Sequence, residues 1–125
     1  MNIKLQIKPM SINNAFKGRK FRTKEYDIFI VQCLRLLPNK IEIPDETNIK
    51  LALEFGFSSR ASDIDNCVKT FIDCLVRKYK VDDRFIYELH TFKTIVKKGE
   101  EFIRFRLKHL KLKHQIAWSI PLKMV

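Results

Sequence analysis

Between Ile49 and Phe57 the chain alternates without a break. Ile49, Leu51, Leu53, Phe55 and Phe57 fall on one side, and Lys50, Glu54 and Gly56 face the other way. A period of two marks a strand with one face in a core. Ser58-Ser59-Arg60-Ala61-Ser62 ends that pattern, and from Asp63-Ile64-Asp65-Asn66 the period changes. Ile64, Val68, Phe71, Ile72, Leu75 and Tyr79 form one apolar helical stripe that ends near Lys80. Arg77, Lys78 and Lys80 occupy its last turn, where cations suit the helix dipole. A one-faced strand followed by a one-faced helix calls for a layered fold, each burying its apolar side on the other.

The remaining segments extend this scheme. Asn2 to Lys8 alternates Ile3, Leu5 and Ile7 with polar residues and reads as a half-buried strand stopped by Pro9. Ser11 to Arg22 has no apolar period and reads as a basic loop. Thr23 has the character of an N-cap for a helix carrying Tyr26, Phe29, Ile30, Cys33, Leu34 and Leu37 up to Pro38. Residues 39–47 form a polar connection. Residues 85–97 read as a strand, Lys97-Lys98-Gly99-Glu100 as a hairpin turn, and the return strand places Ile103, Phe105 and Leu107 inward against Arg104, Arg106 and Lys108. The expected fold is α+β: a single small domain with one mixed sheet of about four strands and two main helices packed against it. Its length of 125 residues, 46% hydrophobic, suits one domain with a real core. Residues 1–108 would form that domain, and residues 109–125 a basic C-terminal extension of unassigned structure.

The formal net charge is +11 and unevenly spread. Residues 1–22 hold six basic side chains and no acidic one, residues 23–92 ten basic and twelve acidic, residues 93–125 nine basic and two acidic. Positive ends around a slightly acidic middle form the footprint of a phosphate-backbone binder, although membrane-surface and acidic-partner proteins share it. Cys33, Cys67 and Cys74 lack the paired spacing of a zinc site and fall within helical patterns, so buried free thiols in a reducing compartment are expected. There is no apolar run of transmembrane length and no signal-peptide core, so a soluble, cytoplasmic protein without a membrane partner is expected, and the basic ends add DNA association.

The acidic middle concentrates on Asp63, Asp65 and the pair Asp82-Asp83. Carboxylates at contact distance repel phosphate, and a divalent cation between the two reverses the sign. An acidic pocket inside a basic surface is therefore the charge layout of a metal-dependent nuclease. Asp63 and Asp65 can converge on one ion only if Asp63 is still in extended chain, because residues two apart on a helix diverge. Lys69 lies one helical turn beyond Asp65, and Asp73 continues the line. A helix of about 15 residues is roughly 22 Å long, so Asp83 reaches the other aspartates only if the chain doubles back. Helix caps, a polar turn and an ordinary surface ion pair account for the same residues without catalysis.

Asp63-Ile64-Asp65-Asn66-Cys67-Val68-Lys69, followed after one helix by Asp82-Asp83, resembles the D-x-D-N-x-x-K and D-D signature of the RusA family of Holliday-junction resolvases. The strand ending at Pro9 with Ser11 and Asn13, the start of the first helix at Arg22 to Tyr26, and Lys98-Gly99 resemble further family features over residues 1–108. The resemblance implies a Mg²⁺-dependent homodimer, with Mn²⁺ as substitute, that nicks two opposed strands of a four-way DNA junction. It places Asp63, Asp65 and Asp83 as metal-binding carboxylates, Lys69 as the active-site lysine, Asn66 as a matching motif residue and Asp82 outside the ligand set.

Phosphodiester hydrolysis needs an activated water, neutralised phosphate oxygens and a stabilised leaving group, all within reach of carboxylate-held Mg²⁺. Asn13, Asn14, Lys17, Arg19, Lys20, Arg22, Asn66, Arg104 and Arg106 are the candidate DNA contacts, with Lys108 completing the last basic row. His90 reads as a half-buried packing residue, and His109 and His114 form no metal-ligand pattern. Phe16 and Phe21 are assigned to core or dimer packing ahead of base stacking. Two rivals remain: a DNA-binding module without cleavage, and a structural protein whose aspartates are caps.

Overall fold

The computed structural model describes residues 2–18, 21–43 and 48–109. Six strands and two α-helices follow in the order β1 (Ile3–Leu5), β2 (Phe16–Lys17), β3 (Phe21–Arg22), α1 (Lys24–Leu36), β4 (Ile49–Phe57), α2 (Val68–Tyr79), β5 (Ile86–Ile95) and β6 (Phe102–His109). Short 3₁₀ turns at Ile12–Asn14, Asp65–Cys67 and Asp83–Phe85 link them. The main sheet has the order β1-β6-β4-β5, and β2 and β3 form a separate small hairpin. The expected α+β class, mixed sheet and two packed helices are all present. No described helix is long and apolar enough to cross a membrane.

The alternating segment is the centre of the sheet. Leu51, Leu53, Phe55 and Phe57 of β4 are buried, with β6 antiparallel on one edge and β5 parallel on the other. A parallel neighbour requires a crossover, and α2 supplies it between β4 and β5. Phe71 and Cys74 of α2, Phe29 and Cys33 of α1, and Ile103 and Phe105 of β6 meet the same face of β4. Phe71 stacks edge-on against Phe105 at 5.3 Å between ring centroids. Burying a phenylalanine of this kind is worth about 1.5–3 kcal/mol. On the opposite face, the Phe102 ring lies 2.4 Å from where a Cβ on Gly56 would stand, so only glycine fits there.

The expected β5–β6 hairpin does not exist. The turn itself forms, with the Glu100 amide donating to the Lys97 carbonyl at 2.9 Å and Gly99 at φ +95°. Yet the two strands that it joins flank β4 on opposite edges. A local turn signal fixes a reversal of direction and not the partner; β4, apolar along the whole of one face, takes both neighbours.

The N-terminal segment also departs from expectation. Pairing with β6 stops at Leu5, opposite Ile103, while Ile7 continues buried as unpaired chain. The Thr70 hydroxyl of α2 donates to the Met10 carbonyl at 2.6 Å and pins this segment to the helix. The basic loop is partly structured. Ser11 accepts from the Asn13 amide to start a 3₁₀ turn, and Phe16–Lys17 pairs with Phe21–Arg22 around Gly18 at φ +70°. Arg19 and Lys20 lie outside the described residues, as do Pro44 and residues 110–125 with His114 and Trp118. Thr23 caps α1 as expected, accepting from the Tyr26 amide at 3.1 Å, and its hydroxyl donates to the Asn14 carbonyl at 2.7 Å. All three cysteines are buried and free.

Candidate active site

The D-x-D-N stretch lies between the end of β4 and the start of α2, with Asp63 still outside helical structure. Neither aspartate acts as a cap: Ile64 precedes the Asp65–Cys67 turn and Cys67 precedes α2, both without a side-chain cap hydrogen bond. Asp63 instead accepts from the Asn66 carboxamide at 3.3 Å. Both aspartates are exposed. Burial, with the Asp65 carboxylate nearby, pushes the Cys67 thiol up to about 12, so this cysteine stays protonated beside the site. Lys93 of β5 secures the serine-rich loop from the sheet side, donating to the carbonyls of Arg60 at 2.7 Å and Ser62 at 2.5 Å.

At the other end of α2 the chain doubles back. Lys80 adopts the left-handed conformation, φ 58°, and its amide donates to the Val76 carbonyl at 2.9 Å. Asp82 and Asp83 then take separate roles. Asp82 caps its own turn, accepting from the Arg84 amide at 3.1 Å and pairing with the Arg84 guanidinium at 2.8 Å. Asp83 turns back to Lys69, with Oδ2 3.8 Å from Nζ. The last of the three candidate aspartates thus reaches a lysine in the first turn of α2, one helical turn after Asp65.

Lys69 does not pair with Asp65, the partner offered by spacing as a surface pair. Its ammonium lies 3.1 Å from Asp73 Oδ1 and 3.8 Å from Asp83 Oδ2. The hydrogen bond to Asp73 leads in raising its pKa above the usual lysine value, and Asp83 adds to the shift. Lys69 is therefore a cation at neutral pH. Asp73 is held in turn by the Tyr26 hydroxyl, which donates to Oδ2 at 3.2 Å. Burial first, and then the Asp73 charge, push the Tyr26 phenol up to about 12, so it remains a donor.

A groove of about 670 Å³ opens beside Asp63 and Asn66, with Asn13 and Asn14 on its wall and Phe29 and Phe57 among its apolar lining. Four expected site residues meet there: Asn13, Asn14, Asp63 and Asn66. Lys17 and Arg22 are exposed on the β2–β3 hairpin, and Arg22 pairs with Asp27 at 3.2 Å. Arg104 and Arg106 do not join them. They alternate with buried Ile103 and Phe105 on β6, so they occupy the sheet face turned away from the helices, where Arg104 pairs with Glu54 at 3.0 Å. Phe16 lies edge-on to Tyr26 at 5.5 Å, and Phe21 is 76% exposed, which removes it from the core. His90 is half-buried beside Glu88 at 2.8 Å, a packing position as expected.

The donors suit a hard divalent cation, being carboxylate oxygens that are exposed or held by a single weak or shared partner. They are not gathered: among the described residues, no three His, Cys, Asp or Glu side chains stand together as a metal-holding group. Asp83 has the ammonium of Lys69 as its neighbour, at 3.8 Å.

In the sequence, Asp73 continues the line of Asp65 and Lys69 without a role, and Tyr26 belongs to the apolar spacing and the start of the first helix. The i,i+4 spacing from Lys69 to Asp73 was the available signal; the Tyr26 contact spans 47 residues and had none. No curated protein matches the chain. The family description "Endodeoxyribonuclease RusA" matches residues 8–106, a span running from the buried N-terminal segment through β6 and containing the D-x-D-N stretch, Lys69 and the returning Asp83. With well over half its length matched, the chain belongs to the RusA endodeoxyribonuclease family.

Proposed function

We propose that the protein is a divalent-metal-dependent endonuclease of branched DNA, resolving four-way junctions by paired nicks as a homodimer. The observation that carries this reading is the 3.8 Å contact of Asp83 with Lys69, which links the D-D pair to the lysine of the D-x-D-N-x-x-K stretch. Asp63, Asp65 and Asp83 would hold Mg²⁺, with Mn²⁺ as substitute. When bound, the cation supplies Lewis acidity to the phosphate and lowers the pKa of a bound water.

The residues of the chain do the rest. Lys69, kept protonated by Asp73 and Asp83, offers positive charge to the scissile phosphate and is the wrong species for a general base. Asn66 steadies Asp63. Asn13 and Asn14 line the groove beside Asp63 and are placed to contact sugar or phosphate. Lys17 and Arg22 on the exposed hairpin are placed to grip a duplex arm by its phosphates. Arg104 and Arg106 lie on the other sheet face, where they would serve a second arm or a different contact. A C₂ dimer presents two equivalent sites, which matches the two symmetric incisions that a junction requires.

The test is cleavage of a synthetic four-way junction with Mg²⁺ or Mn²⁺, beside the Asp65→Asn variant. The reading expects paired nicks by the wild type, and in the variant lost cleavage with junction binding kept. Junction binding without cleavage by wild-type protein would favour a DNA-binding module, and salt-insensitive DNA affinity would remove the nucleic-acid reading altogether.

A further inference from the structure

Lys69 stands between two carboxylates and is nearer to Asp73, at 3.1 Å, than to Asp83, at 3.8 Å. An exposed lysine in an ordinary i,i+4 pair is weakly held, because solvent and side-chain entropy offset most of the attraction. Here the anchor differs. Asp73 is half-buried, and its two oxygens have separate partners: Oδ2 accepts from Tyr26 and Oδ1 faces Lys69. Tyr26 is 3% exposed and sits in the first turn of α1. Its ring meets the edge of Phe16, the first residue of the β2–β3 hairpin. The hydroxyl therefore has little freedom, and it fixes which way the Asp73 carboxylate points.

We propose that Asp73 is a positioning residue for Lys69, held in register by Tyr26, so that packing of α1 on α2 sets where the ammonium stands. The assignment has a chemical consequence for Asp83. One ammonium shared by two anions cannot fully neutralise both. By taking the shorter contact, Asp73 keeps Lys69 from closing onto Asp83 and leaves the Asp83 oxygens available. Without Asp73, Lys69 loses its nearer anchor and keeps only the longer, more exposed contact with Asp83, so it moves more freely and competes with any cation there. The link also joins the hairpin bearing Lys17 and Arg22 to the lysine through Phe16, Tyr26 and Asp73. This inference rests on the reading of Lys69 as the cation beside the scissile phosphate.

Two measurements on the full chain test it, using isosteric variants that preserve the packing. The first is metal-free: side-chain NMR of isotopically labelled lysine, following the order parameter at the end of Lys69. Asp73→Asn should raise Lys69 mobility clearly, and Tyr26→Phe should raise it less. Unchanged mobility in Asp73→Asn overturns the inference, whether or not the protein cuts DNA. The second is single-turnover junction cleavage with Mg²⁺. Loss of a charge-assisted hydrogen bond that places a reacting group should slow Asp73→Asn by roughly ten- to a hundredfold. Junction affinity should stay within about twofold of the wild type, and Asp73→Glu should recover part of the rate. A rate in Asp73→Asn equal to wild type, where the wild type cuts, also overturns it. A wild type that never cuts defeats the nuclease reading instead, and the NMR result still decides the role of Asp73.

Discussion

The two halves of the candidate site are built differently. Asp63 and Asp65 are exposed, and Asp63 accepts the 3.3 Å hydrogen bond from Asn66. Around Lys69, Asp73 and Asp83 the polar groups are linked to one another and, through buried Tyr26, to the α1–α2 interface. The first half lies where the chain passes from strand to helix, and its carboxylates stand outside the core. The second inherits its geometry from the core. The contrast predicts one wall preset by the core and one, on the D-x-D-N side, that adjusts.

That contrast gives predictions of decreasing size. The largest concerns activity. Asp65→Asn removes one carboxylate from the adjustable side and should lower cleavage roughly a thousandfold, the loss of several kcal/mol of charge stabilisation. A gel assay at saturating enzyme reads this directly, with binding measured alongside. A surviving rate would shift the centre of the site towards Asp73 and Asp83.

Stability separates the halves next. Tyr26→Phe deletes a buried donor to a carboxylate and should cost about 1.5 kcal/mol in urea unfolding. Asp63→Asn, on the exposed side, should change unfolding by no more than about 0.5 kcal/mol. Equal effects would erase the distinction between a preset and an adjustable wall.

A smaller effect belongs to pH. Tyr26 has a folded pKa pushed up to about 12, above the ordinary tyrosine value, so its protonated form contributes stability. That contribution is fully present below about pH 10, the unfolded pKa, and is lost as pH rises through the folded value. Thermal unfolding of the wild type should therefore fall more steeply between pH 10 and 12 than that of Tyr26→Phe. Parallel curves would place the Tyr26 hydroxyl in water.

The smallest effect is at the reversal that sends Asp83 back. Lys80 holds φ 58°, a conformation that glycine adopts without cost. Lys80→Gly should stabilise the fold by a few tenths of a kcal/mol up to about 1 kcal/mol, and leave cleavage unchanged. A destabilised variant would mean that the Lys80 side chain contributes something beyond its backbone.

Legibility in the sequence followed the range of the forces. Thr23 as cap, α1 up to Leu36, β4 from Ile49 to Phe57 and the apolar stripe of α2 were all readable, because caps and periodicity act over a few residues. The stretch Asp63-x-Asp65-Asn66-x-x-Lys69 was readable only through its resemblance to the RusA signature, since helix caps and a surface ion pair fit the same residues. The small β2–β3 hairpin was not, since its strands of two residues have no period to detect. Of core or dimer packing for Phe21, its exposure removes the core, because hydrophobicity alone does not say which aromatic finds a pocket.

Pairing and convergence lay beyond the sequence. The glycine turn near Gly99 announced a reversal, but β4 separates the strands on either side of it, since a buried strand must satisfy the backbone groups on both of its edges. The charge of Lys69 and its position one turn after Asp65 were written in the chain. That its partners are Asp73 and Asp83, and that Tyr26 sets the nearer of them, was decided by packing α1 on α2 and by the left-handed turn at Lys80. Local propensity fixes what each segment is; contacts across 47 residues exist only once burial of the shared apolar face has brought the segments together.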